Sequence, residues 1–483
     1  MGNDNSKSIS KQKVATSFVW NILEKFFSQG LQFIVSIILA RILIPSDYGI
    51  VALITVLIQV ANVFVIDGFN TSLIQKKDSD ELDFSSVFYF TCAVAIFLYI
   101  CFYASAPLIA KFYDQPVLIS LTRLLAISFF YTPLSSCQYA YIAKHMLFKV
   151  YLLRSIFCMV ISGTISIILA TKGAGVYALV IQSLTYGIIN CTILWFSIDW
   201  RPKLLFSFER IKELLSFGWK FVGTGLLDAV FKNLYSLIIG KAYNTEQLGF
   251  YNRGQQFPGI IANNFSSTLR NITLPTFSAK NDDIHSVKNM VEKTVSVNAY
   301  IIFPLLMGLA VCAESVVRVV LTDKWLPCVH FLQISCVYFI FNTINDSNFT
   351  AINALGRSDV YLKYGIIKKI ITVFVLIISI PFGVYAIALG QTFVSFISAL
   401  LNCIPSKRIL QYSYREQLKD ILPSFLISVI MASIVYLCNF LPLLFFLKLI
   451  LQILLGCIIY LFLSVFSKNE NYYYLKQILK NRK

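Results

Sequence analysis

The chain has 483 residues, of which 57% are hydrophobic and 13% are charged, and its mean hydropathy is +0.71. These values exclude an ordinary soluble protein and indicate an all-α polytopic membrane protein. The formal charge of +17 does not indicate nucleic acid as a partner, because the basic residues lie mostly in alternate loops between apolar stretches. We therefore interpret the charge as a signal of membrane topology.

Apolar runs long enough to cross a bilayer predict fourteen transmembrane helices in chain order. Their approximate limits are 17–43, 49–72, 84–110, 117–141, 150–171, 174–198, 213–241, 248–274, 291–320, 328–353, 361–381, 384–404, 420–440 and 444–466. Basic residues precede the first span and follow the even-numbered spans. Both termini should therefore be cytoplasmic.

An internal repeat predicts the domain organisation. The stretch LARILIPSDYGIVA from Leu39 parallels IGKAYNTEQLGFYN from Ile239, a displacement of 200 residues, and GVYAL at Gly175 parallels GVYAI at Gly383. Two matches at nearly equal displacement predict two parallel six-helix lobes, related by a pseudo-twofold axis along the membrane normal. The predicted divisions are an N-terminal cytoplasmic tail (1–16), an N-lobe (17–200), a basic linker (201–212), a C-lobe (213–410), spans thirteen and fourteen (411–466) and a basic cytoplasmic tail (467–483).

Spans one, two, seven and eight carry polar residues at steps of three, four or seven, which places these residues along one side of each helix. Such stripes should face protein or water, because a charge in the middle of a bilayer costs several kcal/mol. The residues that we predict to line a cavity are Lys220, Lys232, Arg253, Gln256, Asn263, Arg270, Gln59 and Asn62. Snorkelling to the membrane surface is an alternative for Arg253 and Arg270, less so for the deeper Lys220 and Lys232.

Three carboxylates are candidates for coupling to an ion: Glu24, Asp228 and Asp67. Glu24 has no obvious partner on its own helix, so it could exchange a proton or pair with another span. Asp228 could instead form a structural ion pair with Lys232, four residues later. Asp67 lies near the predicted cytoplasmic end of span two and could be an interfacial residue.

Other patterns do not indicate an enzyme. The eleven cysteines lie mostly within spans and form no CxxC pair, and the three histidines are far apart, so no metal or other cofactor is expected. The segment DSDELD at 78–83 contains the DxD triplet of some glycosyltransferases, but a solvated loop explains it better. The sequence contains no GxxxxGK[ST] phosphate loop, so we expect no ATPase activity.

The stretches ILARILIPSDYGIVAL, DGFNTSLIQKKD and LLSFGWKFVGTGLLDAVFKNLYSLIIGKAYNTEQLGFYNRGQQF resemble the polysaccharide transporter family of the MOP flippase superfamily. The resemblance covers about residues 12 to 412 and is closest to Wzx-type exporters of the colanic-acid kind. Lys241 stands where arginine is expected, which preserves the charge.

This resemblance implies a flippase of the bacterial inner membrane, which moves an undecaprenyl-diphosphate-linked oligosaccharide (an O-antigen, capsule or exopolysaccharide repeat unit) by alternating access coupled to a proton or sodium ion. Lys220, Lys232, Arg253 and Arg270 could then bind the diphosphate, and Gln256, Asn263, Asn62 and Gln59 the sugar hydroxyls. It also suggests polysaccharide polymerase and glycosyltransferases as partners. Two alternatives stay open at this point: a membrane-embedded polymerase or glycosyltransferase, and a multidrug exporter of the same superfamily.

Overall fold

The computed structural model describes residues 11–76, 79–145, 149–278 and 284–480. Within these ranges the chain forms α-helices joined by short turns, with no β-strand. The helices are α1 (Lys11–Ile42), α2 (Pro45–Gln75), α3 (Glu81–Tyr113), α4 (Leu118–Ala126), α5 (Ser128–His145), α6 (Lys149–Thr171), α7 (Val176–Ser197), α8 (Phe208–Ala242), α9 (Thr245–Ser278), α10 (Ile284–Val311), α11 (Ala313–Val316), α12 (Cys328–Ala354), α13 (Ser358–Ser379), α14 (Val384–Leu410), α15 (Tyr414–Leu437), α16 (Phe445–Phe466) and α17 (Glu470–Lys480).

The predicted all-α class is confirmed, and a helix lies at each of the fourteen predicted spans. Among the described residues, twelve helical spans are long and apolar enough to cross a membrane. The other two predicted spans fall on α1, whose apolar part is Phe27–Ile42, and on α9, which is rich in polar residues. The count of fourteen spans therefore stays a prediction.

Three details differ from the predicted spans. The fourth span is broken at Ile127 into α4 and α5. The ninth span ends at Val311 and is followed by α11 and by a π-helical turn at Val317–Leu321, which ends at Thr322, where φ is 109°. The amphipathic α17 follows the last span and was not predicted.

Helix starts follow from local capping chemistry. Pro45 occupies the first turn of α2, where its missing N–H costs nothing, and Asp47 accepts a hydrogen bond from the Ile44 amide at 3.3 Å. At the start of α15, Ser413 and Glu416 form a capping box, in which each side chain accepts from the other residue's amide.

The chain forms two compact units, residues 1–249 and 250–483. In the first unit, one apolar cluster joins α2, α4 and α7 through Ile54, Leu121 and Val180, all fully buried. In this unit α8 also packs along α2. The units are defined by contacts and the predicted lobes by sequence repetition, so the predicted domain limits stay a prediction.

The first repeat match has a reciprocal contact in the first unit. A Cβ atom added to Gly49 would lie 1.7 Å from the carbonyl oxygen of Thr245, and one added to Gly249 would lie 2.0 Å from the carbonyl oxygen of Pro45. Pro45 and Thr245 are themselves counterparts in the repeat, as are Gly49 and Gly249. The α1–α2 turn and the α8–α9 turn therefore meet as two equivalent surfaces would across a twofold axis.

The second repeat match also has equivalent structures. Gly175 directly precedes α7 with a φ of 55°, and Gly383 directly precedes α14 with a φ of 98°. Both values lie in the region that favours glycine. The two GVYA segments thus begin corresponding helices with the same kind of turn.

In the second unit, buried amides connect α12 to α14 and α15. Asn402 donates to the Asn345 side chain at 2.6 Å, and Asn348 donates to Gln417 at 3.1 Å. All four side chains are at least 94% buried. Such bonds between helices satisfy polar groups that neither water nor lipid could satisfy.

The reciprocal glycine contact leads to a prediction about stability. Gly49→Ala should lower the melting temperature of the purified protein in detergent, because the added methyl group would overlap backbone atoms of Thr245. Unlike a side chain, the backbone cannot change rotamer to relieve the overlap. Gly365→Ala is the matched control, because a Cβ atom at Gly365 has no neighbour within 4 Å. Equal melting temperatures for the two variants would contradict the close approach of the two turns.

Candidate functional site

The polar stripe of α2 faces α8 in the first unit. The Asn233 side chain of α8 donates to the Ala229 carbonyl at 2.9 Å and reaches the Gln59 side-chain oxygen at 3.5 Å. Asn62 lies one turn further along α2, and its buried Oδ1 atom has no hydrogen-bond partner among the residues that the structure describes. Gln59 therefore contacts α8 through the side chain of Asn233. Asn233 was not among the site residues predicted from the sequence.

The charged candidates of α8 are accessible where the structure describes them. Asp228 and Lys232 are both exposed. The side chain of Lys220 lies outside the described residues, as do those of Glu24 and Asp67. Their predicted roles in substrate binding and ion coupling therefore stay predictions.

Arg253 is buried in the second unit. Its side chain is 5% exposed, its guanidinium lies 5.3 Å from the ring centroid of the fully buried Trp325, and it donates to the Gln256 side chain. The cation–π contact and the amide oxygen replace part of the hydration that the guanidinium loses. In this structure the Gln256 side chain thus accepts a hydrogen bond from Arg253. The predicted contact of both residues with substrate stays a prediction.

Arg270, near the other end of α9, is exposed and pairs with a carboxylate of α12. Its Nη2 atom lies 3.5 Å from Oδ2 of Asp346, and the two side chains are 53% and 35% exposed. This is a single long contact, unlike the two parallel bonds that arginine and a carboxylate can form. Asn263, on the same helix, is also exposed.

A second cation lies near Asp346. Lys368 of α13 places its ammonium 3.5 Å from the ring centroid of Phe349 and interacts electrostatically with Asp346. Asp346 and Phe349 are three residues apart on α12, so they share one face of that helix. The carboxylate of Asp346 therefore pairs with a cation of α9 and lies in the electrostatic field of a cation of α13.

The described acidic residues at the start of α3 make contacts that stabilise the helix and its neighbours. Asp80 caps α3 by accepting from the Asp83 amide at 2.9 Å, a bond that lowers the pKa of Asp80 below its ordinary value of 3.8. Asp83 is fully buried and lies 3.2 Å from the ammonium of Lys76 and 3.7 Å from the guanidinium of Arg210. These contacts favour a structural role over a metal-binding DxD site; Asp78 lies outside the described residues.

Comparison with known proteins identifies the family. The profile of a family described as polysaccharide biosynthesis protein matches residues 38–330, which is more than half of the chain. The chain belongs to this family. The expected resemblance to a polysaccharide family is thereby confirmed.

Two relatives of this chain come from different bacteria. It is 27% identical over 296 residues to the teichuronic acid biosynthesis protein TuaB of Bacillus subtilis (strain 168), a match that covers 60% of this chain and 61% of TuaB. It is 22% identical over 428 residues to the lipopolysaccharide biosynthesis protein WzxC of Escherichia coli (strain K12), a match that covers 86% of each chain.

The fold is also found in a solved structure. The lipid II flippase MurJ, in an inward closed conformation, matches with a TM-score of 0.76 and 17% identity, over 94% of this chain and 99% of that one. At this level of identity the match establishes the fold. Together with the apolar helices, these relatives show a multi-pass membrane protein.

The different surroundings of the two arginines of α9 lead to a prediction. Arg253→Ala should lower the free energy of unfolding by about 2 kcal/mol, because a desolvated cation–π contact is lost and Gln256 loses its donor. Arg270→Ala should cost about 1 kcal/mol or less, because its ion pair is exposed. Denaturant unfolding in detergent measures both values. A larger loss for Arg270→Ala would be incompatible with these surroundings.

Proposed function

We propose that this protein translocates an undecaprenyl-diphosphate-linked oligosaccharide across the bacterial inner membrane. The observation that best supports this is the exposed Arg270, a guanidinium held by one 3.5 Å contact with Asp346 in a chain with the fold of a lipid-linked saccharide flippase. A guanidinium with free donors matches the oxygens of a diphosphate. The printed names of TuaB and WzxC, which refer to polysaccharide biosynthesis, support the same substrate class.

The residues proposed to bind substrate fall into cations, for the diphosphate, and neutral amides, for the sugar hydroxyls. Arg270 and Lys232 are exposed cations and could bind the diphosphate, and Lys220 is a further candidate from the sequence. Gln59 and Asn263 are exposed amides that could bind sugar hydroxyls. Asn62, with its unpartnered oxygen, is suited to accept a hydrogen bond from a hydroxyl. Arg253 would contact substrate only after leaving Trp325, and Gln256 only after releasing Arg253.

The mechanism proposed is alternating access of two six-helix lobes, with both chain termini in the cytoplasm. The lipid tail would stay in the bilayer while the saccharide and the diphosphate cross between the lobes. A proton or sodium gradient would supply the energy. The protein would act as a transporter and would leave the glycan chemically unchanged, while polymerase and glycosyltransferases would act on the glycan before and after it crosses.

The test is reconstitution of the full chain in vesicles that contain a lipid-diphosphate oligosaccharide. Glycan that becomes accessible to an added glycosidase over time, at unchanged length, would support the proposal. Lengthening of the glycan would instead identify a polymerase. Export of small cations without movement of the lipid-linked glycan would identify a multidrug exporter.

In this assay Arg270→Ala should slow the appearance of accessible glycan by about tenfold or more, because a charge-assisted bond to phosphate contributes about 1.5–3 kcal/mol. Arg357→Ala is the matched control, because Arg357 also forms an exposed ion pair, with Asp359, but near the start of α13 and away from the polar stripes. Equal rates for the two variants would refute the role of Arg270 in gripping the diphosphate.

A further inference from the structure

An arginine of the first unit lies between α3 and α4 without an anionic partner. The Cζ atom of Arg123, on α4, is 4.3 Å from the ring centroid of Tyr103, on α3. Among the residues that the structure describes, no carboxylate pairs with Arg123, and its buried Nε atom has no hydrogen-bond partner. A cation within an apolar helix bundle is costly unless an anion compensates it. Arg123 therefore offers its charge to a ligand from outside the chain.

The position of Arg123 along α4 indicates where such a ligand would come from. Helix α4 begins at Leu118, and Arg123 is its sixth residue, about 8 Å along the helix axis. Leu121 and Leu125 bury the opposite side of α4 in the apolar cluster shared with α2 and α7. On the predicted topology this end of the unit faces the outer leaflet. A long arginine side chain at this depth can reach the lipid headgroups.

The surroundings of Arg123 are aromatic and partly exposed. The Tyr103 side chain is 45% exposed. Its ring centroid lies 5.9 Å from that of Tyr99, which in turn lies 4.7 Å from that of the exposed Phe130. Tyrosine rings concentrate where the hydrocarbon of a membrane meets its headgroups, because one end is apolar and the other can hydrogen-bond. Arg123 thus lies beside a surface of the kind that meets lipid headgroups.

The stacked geometry selects the ligand's chemistry. The Tyr103 ring covers one face of the guanidinium plane and leaves the N–H groups at its edge available. Two such N–H groups can donate in parallel to two oxygens of a phosphate. We propose that Arg123 and Tyr103 form a binding site for the phosphate group of a membrane lipid. The site lies outside the predicted polar stripes, and it does not rest on the proposed function.

A second stacked arginine shows what Arg123 lacks. Arg318, in the second unit, lies 4.5 Å from the ring centroid of Phe445. Its Nε atom donates to Glu314 at 3.0 Å, and its Nη1 atom donates to Asp323 at 2.7 Å. The chain itself thus supplies the anions for Arg318. The two arginines share an aromatic neighbour and differ in their anions, so Arg318 is the matched control.

The binding test counts lipids on the purified full chain by native mass spectrometry in detergent. The probe is dioctanoyl phosphatidylglycerol, and dioctanoylglycerol has the same acyl chains without the phosphate. Arg123→Gln should weaken the tightest phosphatidylglycerol binding about tenfold or more, because charge-assisted bonds to phosphate are lost. It should leave dioctanoylglycerol binding unchanged, and Arg318→Gln should change neither. Equal phosphatidylglycerol affinity in the parent chain and in Arg123→Gln would overturn the site.

Two milder variants keep the proposal testable if Arg123→Gln fails to fold. Arg123→Lys keeps the charge and loses the planar pair of donors, and Tyr103→Leu keeps apolar bulk and loses the aromatic face. Each should weaken phosphatidylglycerol binding severalfold and leave the melting temperature without lipid unchanged. A lower melting temperature without lipid, together with unchanged lipid affinity, would mean that the pair only holds α3 to α4. That result would overturn the site.

A competition experiment assigns the source of the phosphate. Undecaprenyl diphosphate is added to the protein with phosphatidylglycerol bound. Displacement that is lost in Arg123→Gln would support the site and assign it to polyprenyl phosphates, whereas retention of phosphatidylglycerol would support it as a phospholipid site. Binding of neither lipid through Arg123 would overturn it. Intact phosphate binding without any glycan movement in vesicles would refute the flippase and leave this site standing.

Discussion

The structure of the second unit depends on one constraint, which is that a charged side chain within an apolar helix bundle needs a partner. An isolated charge at mid-bilayer costs several kcal/mol, and three cations of α9 and α13 lie beside a group that stabilises them. Arg253 lies over Trp325, Lys368 lies over Phe349, and Arg270 pairs with Asp346. Only the last of these contacts leaves the cation exposed. Burial and the type of partner therefore distinguish the two arginines of α9.

The internal sequence repeat also determines a packing contact in the first unit. Gly49 and Gly249, 200 residues apart, each lie against the backbone at the start of the other's helix. Any side chain at either position would hold the two turns apart, so the contact needs glycine in both copies. A duplicated hairpin can meet its own copy in this reciprocal way because the two surfaces are alike. The duplicated sequence thus forms a contact with local twofold character.

Hydropathy was enough to place the helices, because lipid imposes apolar runs of nearly fixed length. It could not place the break at Ile127 or the early end of α10, which depend on local backbone geometry. The spacing of polar residues placed Arg253 and Arg270 in one predicted stripe, and their role in a cavity stays a prediction. It could not show that one is buried and the other exposed, because Trp325 and Asp346 come from distant parts of the chain. Asp346 was visible as a charge in the tenth span, but its partners were not.

Two arginine–aspartate pairs of the second unit, Arg357–Asp359 and Arg270–Asp346, differ in geometry and therefore in how readily they could exchange partners. Arg357 and Asp359 form two bonds of 3.0 Å at the surface, the bidentate arrangement in which both carboxylate oxygens are occupied. Arg270 and Asp346 share one contact of 3.5 Å, so the guanidinium keeps donors for another anion. A bidentate pair would occupy those donors. The single contact keeps Arg270 beside Asp346 and leaves its remaining N–H groups able to bind a second anion.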